Sequence, residues 1–227
     1  MKTWLLAVVR WVVTAPFTYM WLLVLLYTTH LQRVLGQRKL HAVLVHSSTN
    51  LHDLARDPLY VLWTSLLWID GRYWLPYLVL FTVFLAPAER WLGHLRWGVV
   101  GLTCHVGGTL LSEGWLYLRI AYHLAPARLL YARDIGVSYF LVGICAVLAY
   151  RIAKPWRWVY LGGLILLFVG ALVVKPGFTA LGHLSAIGIG LCFYPMARAR
   201  PGALWNPAEV WERLRRAPQG PARSAST

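Results

Sequence analysis

Acidic side chains are scarce in this chain. Among 227 residues there are only 8 Asp and Glu against 22 Lys and Arg, and charged residues of both signs make up 13%. With 59% of the residues hydrophobic and a mean hydropathy of +0.55, a water-soluble domain of this length could not bury its apolar surface. Cysteine is equally sparse. Cys104, Cys145 and Cys192 each stand inside an apolar run, an odd set with neither a disulfide framework nor metal-ligand spacing. The surplus of Lys and Arg is scattered between apolar segments, where a nucleic-acid surface would gather it into one patch. It therefore reads as topology signal and anionic-lipid contact, with no nucleic acid as partner.

What the chain has in abundance is apolar runs and aromatic rings, including 13 Trp and 12 Tyr, which collect at headgroup level in membrane proteins. Six runs are candidate spans: about 13–31, 73–88, 97–112, 136–150, 156–174 and 178–196. The expectation is an all-α, polytopic bundle of six transmembrane helices occupying residues 1–198, followed by a basic, mobile tail over 199–227. No small-residue cleavage site follows the first run, so it reads as a retained helix. Several runs are shorter than the roughly 20 residues of a simple span, and short helices need protein around their ends.

Charge counting orients the bundle. The N-terminus, the second and fourth loops and the tail together carry thirteen Lys and Arg, and the other loops carry nine, diluted over a long first loop. Both termini are thus expected on the cytoplasmic side. That first loop contains "SSTNLHDLARDP", a capped helical turn stopped by Pro58, and the eleven apolar residues 59–69, the length of an interfacial element. In the tail, "NPAEVWERLRR" has an Asn206 cap, Pro207 and Glu209, and reads as a short amphipathic helix suited to a membrane surface.

Ionisable residues at membrane depth raise functional questions by default. His105, Glu113 and His183 qualify. His183 shares a face with Ala186 and Gly190, and small residues at this spacing admit a close neighbouring helix. On the fourth run, Ser138, Val142, Cys145 and Ala149 line a face of small and medium side chains. If the two faces meet, His183 could take the Ser138 proton and make it a nucleophile. The plain alternatives are a serine bonded back to its own helix and a histidine serving as a bundle hydrogen-bonder or proton-path group. His105, Thr109 and Glu113 recur every four residues and read as a polar seam between helices. Asp134 is expected to cap the fourth helix. His41, His46 and His52 have gaps of five and six residues that fit no common metal pattern, so no metal is expected.

These residues carry a resemblance to the rhomboid intramembrane serine proteases, over about 57–196. Gly136-Val137-Ser138 is similar to the G-x-S-G stretch opening that family's fourth helix. His183 to Gly190 matches its H-x-x-[GA]-x-x-x-G stretch, and Glu89 to Gly93 its E-x-x-x-G. "DPLYVLWTSLLW" also resembles the stretch leading into the second helix, and the likeness is greatest to divergent rhomboid-like proteins of bacteria. The resemblance implies a Ser138–His183 dyad cleaving peptide bonds in or near single-span transmembrane proteins. It implies helix packing through Gly136, Glu89, Gly93, Ala186 and Gly190, no cofactor, and a bacterial plasma membrane. Two departures stand out. Tyr139 replaces the glycine after the nucleophile, and Tyr73 and Tyr77 occupy the H-x-x-x-N positions that help hold the oxyanion. Those tyrosines are the candidate oxyanion donors. The departures favour an alternative, a catalytically inactive rhomboid fold that binds transmembrane clients. A further alternative is a small transporter or channel with a His/Glu path.

Overall fold

A computed structural model describes residues 2–71, 73–200, 202 and 204–216. Its described residues are helical apart from turns and one isolated bridge. In chain order the helices are α1 (Lys2–Val13), α2 (Pro16–Val34), α3 (Gln37–His46), α4 (Leu51–Arg56), α5 (Pro58–Leu67) and α6 (Leu75–Leu92). They continue with α7 (His94–Ala121), α8 (Val137–Arg151), α9 (Trp156–Val174), α10 (Phe178–Cys192), α11 (Tyr194–Arg198) and α12 (Pro207–Arg216).

Six spans are not established. Among the described residues, only α6 and α9 are both long and apolar enough to cross a membrane, and the bent pair α1–α2 makes a third if it acts as one span. α7 has 28 residues but carries Arg96, His105 and Glu113 along its length, while α8 and α10 are short apolar helices. The membrane character rests on these apolar helices. α9 begins and ends where its hydrophobic run does, and of its side chains Leu161 alone is buried.

The first expected span, 13–31, opens instead at Pro16, because Thr14 and Ala15 form a sharp corner of 94° between α1 and α2. α7 overruns the expected 97–112 in both directions: its polar residues interrupt the hydrophobic pattern without interrupting the backbone. The last run, 178–196, breaks after Cys192, where Pro195 begins a new short helix. α6 contains a π-turn over Phe81–Leu85. Pro87 follows it and cannot donate to the chain before it, so the widened turn absorbs the misfit.

α7, α8 and α10 form the centre of the bundle. α6 crosses α8, α2 lies against α6 and α5, and α9 covers α10 from outside. Glycine lets α8 and α10 touch: a Cβ on Gly190 would lie 2.5 Å from the Gly143 carbonyl oxygen. The long first loop is tied down by buried donors: Trp21 Nε1 to the Leu66 carbonyl (2.7 Å) and Gln32 Nε2 to the Ile69 carbonyl (3.0 Å).

Candidate functional site

α8 starts directly after Gly136, which has no side chain to cap the helix. A Cβ there would fall 1.9 Å from Cε1 of His105, so the motif glycine exists to admit that imidazole. His105 is fully buried and donates from Nε2 to the Leu62 carbonyl at 2.9 Å, with Ser65 Oγ at 3.4 Å. It pins α5 and the start of α8 to α7. The expected His–Glu seam is therefore split: His105 serves the loop, and Glu113 lies two turns on with neither carboxyl oxygen hydrogen-bonded among the described residues.

Ser138 follows two residues after Gly136 and is half-buried. Its hydroxyl makes no hydrogen bond among the described residues, and none joins it to His183. His183 lies half-buried with its ring stacked on Phe168 (centroids 4.8 Å apart, planes at 27°) and edge-on to Tyr139 (5.0 Å, 70°). Among the α8 residues, Tyr139 meets Gly182 of α10, and Gly143 and Ala146 meet Gly190. With Tyr139 on the interface, the residue before it is turned about 100° around the helix axis.

Among the described residues, Tyr139 is the largest fully buried side chain. Its ring lies between two glycines: a Cβ on Gly108 of α7 would stand 3.3 Å from Cγ, and one on Gly182 of α10 would stand 2.4 Å from Cζ. Its hydroxyl donates to Asp134 Oδ2 at 2.7 Å and lies 3.5 Å from Ser112 Oγ. Asp134 is thus not the cap of α8 that the sequence suggests. Two residues separate it from the helix start, and its carboxyl turns inward to a phenol. Burial pushes that carboxyl up to about 6, against the pull of the Tyr139 hydroxyl and the Ile135 N–H. Its backbone carbonyl accepts from the Thr49 N–H (2.9 Å) and the Thr49 hydroxyl (3.2 Å), fastening the first loop over the site.

The two expected oxyanion donors are not gathered here. Tyr73 is 78% exposed and precedes α6, lining a cleft of about 280 Å³ with Leu26, Thr29 and His30. Tyr77 is half-buried with its ring edge toward Phe81 (6.3 Å, 73°). Neither hydroxyl makes a hydrogen bond among the described residues. Ala186 and Gly190 are buried on α10 as packing residues. Of the first-loop histidines, His52 and His46 approach Asp53 at 3.0 and 3.9 Å, while His41 lies exposed elsewhere on α3. Among the described residues no group of three or more His, Cys, Asp or Glu could hold a metal ion.

At the other end of the bundle the E-x-x-x-G motif does more than pack. Glu89 is completely buried and accepts from the N–H groups of Phe17 (3.1 Å) and Thr18 (2.8 Å) and from the Thr18 hydroxyl (2.6 Å). It is the N-terminal cap of α2 supplied from another helix, where the dipole favours a negative charge. His94 Nδ1 lies 2.7 Å from Oε1 of the same carboxyl group. Gly93 takes a positive φ of 83° between α6 and α7, a conformation a side chain would strain.

A sequence model of the family described as rhomboid-like protein matches residues 10–203. The chain belongs to that family. The match extends the resemblance of 57–196 through α2 at one end and beyond α11 at the other. Among curated proteins and among solved structures, no significant match was found. The rhomboid-like chain therefore has its family motifs set into a helical bundle in which Tyr139 fills a contact between α8 and α10.

The role of Glu89 as a cap was not legible, although the acidic residue was. Its partners are 71 and 72 residues away in sequence, beyond the reach of any local pattern. Tyr139 carried a signal, since it replaces a glycine, but its inward direction depends on Gly108 and Gly182 from two other helices.

Proposed function

We propose that this rhomboid-like membrane protein holds transmembrane segments of other proteins without cutting them. The carrying observation is Tyr139. Its ring lies edge-on against His183, Phe168 stacks on the same imidazole, and Ser138 has no hydrogen bond to it. An activated serine needs a base within hydrogen-bond reach and donors for the oxyanion. Here the half-buried base is stacked on Phe168 and edge-on to Tyr139, and the exposed Tyr73 makes no hydrogen bond among the described residues. The bundle would sit in a bacterial plasma membrane with six segments in the lipid and both termini cytoplasmic. Its clients would be single-span proteins recognised at its lipid-facing helices.

The second reading is hydrolysis by Ser138 and His183. It is favoured by the close approach of α8 and α10 at Gly143 and Gly190, which keeps the two residues' helices in direct contact.

One experiment separates the two. Purified protein is treated with a fluorophosphonate probe, alongside Ser138→Ala, His183→Ala and Tyr139→Gly. The holding reading expects no labelling of the unaltered protein and, at most, labelling that emerges in Tyr139→Gly. Labelling of the unaltered protein that disappears in Ser138→Ala would replace it with the protease.

A further inference from the structure

Among the described residues, the N-terminal helix presents a set of exposed apolar side chains. On α1, Trp4, Leu6 and Val13 are 78%, 68% and 67% exposed, and Val8, Val9, Trp11 and Val12 are exposed as well. With 12 residues it is about 18 Å long, against a hydrocarbon core of about 30 Å. It meets α2 at 94°. If α2 runs along the membrane normal, α1 runs in the membrane plane.

Its position along the normal is set by Arg90. That side chain donates from Nε to Thr14 Oγ1 at 2.8 Å and from Nη2 to the Trp11 carbonyl, and its guanidinium lies 3.8 Å over the Trp11 ring. Arg90 belongs to the last turn of α6, so the C-terminal end of α1 is held at the α6–α7 corner. Other contacts bring the remaining basic segments to the same end. Arg200 packs on Gly93, Arg151 packs on Gly202, and Trp205 exchanges backbone hydrogen bonds with Arg151 and Ala153 (2.8 and 2.9 Å).

Charge at this end is predominantly positive. Segments 2–14, 89–96, 149–157 and 198–216 contain twelve Lys and Arg and three acids: Glu89, buried and already engaged, and Glu209 and Glu212 on α12, which lie beside Arg213 and Arg216. All four Asp of the chain, at 53, 57, 70 and 134, lie in the segments that join α2 to α6 and α7 to α8 at the opposite end. An apolar helix in the membrane plane beside a net-basic surface has the chemistry of an anionic phospholipid interface.

We propose that α1 is an in-plane anchor, seating the basic end of the bundle on anionic phospholipid headgroups with its apolar side chains in the adjoining acyl region. This does not depend on whether Ser138 reacts.

The test uses the full chain with Cys104, Cys145 and Cys192 replaced by Ala, in nanodiscs of phosphatidylcholine with or without one quarter phosphatidylglycerol. Spin labels at Leu6→Cys, Val9→Cys and Val13→Cys report depth by power saturation. An in-plane helix puts all three near one headgroup-level depth. A spanning segment instead spreads Leu6 and Val13 by about 10 Å, and that gradient would overturn the anchor. Native mass spectrometry then reads lipid retention. Phosphatidylglycerol should be retained several-fold over phosphatidylcholine, and this preference should fall toward parity in the exposed-site variant Arg10→Gln/Lys154→Gln/Arg198→Gln. Equal retention in the unaltered protein would overturn the anionic partner, and an unchanged preference in the variant would overturn this basic end as its seat. Elution of each variant at the unaltered size keeps misfolding out of the comparison.

Discussion

Tyr139 and Asp134 form a buried phenol–carboxyl pair, 2.7 Å apart, at the mouth of the bundle. The tyrosine comes from α8 and the aspartate from the loop before it. Through the Asp134 carbonyl and Thr49 the same pair fastens the long first loop. The residue that departs most from the rhomboid pattern is therefore integrated into the fold.

Removing the phenol oxygen tests that integration. Tyr139→Phe keeps the ring between Gly108 and Gly182 and leaves the Asp134 carboxyl without its donor. The expected cost is about 1–3 kcal/mol, read as a lower unfolding temperature in detergent. Tyr139→Phe and Asp134→Asn made together should cost less than the sum of the two single changes.

The glycine pockets give a second expectation. Gly182→Ala would set a methyl 2.4 Å from Tyr139 Cζ. Overpacking of this kind costs about 1–3 kcal/mol. Because the clash is with one side chain, Tyr139→Ala should make Gly182→Ala nearly neutral in a double-mutant cycle. Gly136→Ala collides with His105 in the same way and should be relieved by His105→Ala, at the expense of the Leu62 anchor.

A pH dependence follows from Asp134. Its carboxyl titrates near 6 in the folded protein, above the ordinary 3.8, because burial disfavours the charge. The folded state then binds the proton more tightly than the unfolded state, so this residue's contribution falls as pH rises from about 4 to about 6. The change is on the order of 3 kcal/mol, at about 1.4 kcal/mol for each pH unit. Asp53 acts oppositely and at lower pH. Burial raises its carboxyl, but hydrogen bonds from Asn50 and His52 and the nearby His46 outweigh that and hold it below 3.8. Its stabilisation is present above 3.8 and lost as pH falls further. Thermal unfolding in detergent between pH 4 and 7 checks the first effect, and Asp134→Asn should flatten it.

Glu89 provides the last expectation. Glu89→Ala would leave the N–H groups of Phe17 and Thr18 and the Thr18 hydroxyl without their acceptor inside the bundle. Each orphaned group costs about 1–3 kcal/mol, enough together to prevent accumulation of folded protein. Glu89→Gln keeps an acceptor and should be folded but less stable, as measured by unfolding temperature.

Much of this architecture was written in the chain itself. Apolar runs beyond what a soluble core can hold determined a helical membrane protein, because backbone groups in lipid must be satisfied within the segment. α9 coincides with its apolar run of about 156–174, which Lys154 and Lys175 bracket. The motifs around Ser138, His183, Glu89 and Gly93 determined the family. What only the tertiary structure decided was direction and partnership. Tyr139 points inward because Gly108 and Gly182 leave room on two other helices. Asp134 turns to a phenol instead of capping α8, and Glu89 caps a helix more than seventy residues away. Periodicity reports which residues of one helix share a face, but not which neighbouring helix that face meets, and that meeting places Tyr139, with Ser138 turned about 100° from it, on the contact with α10.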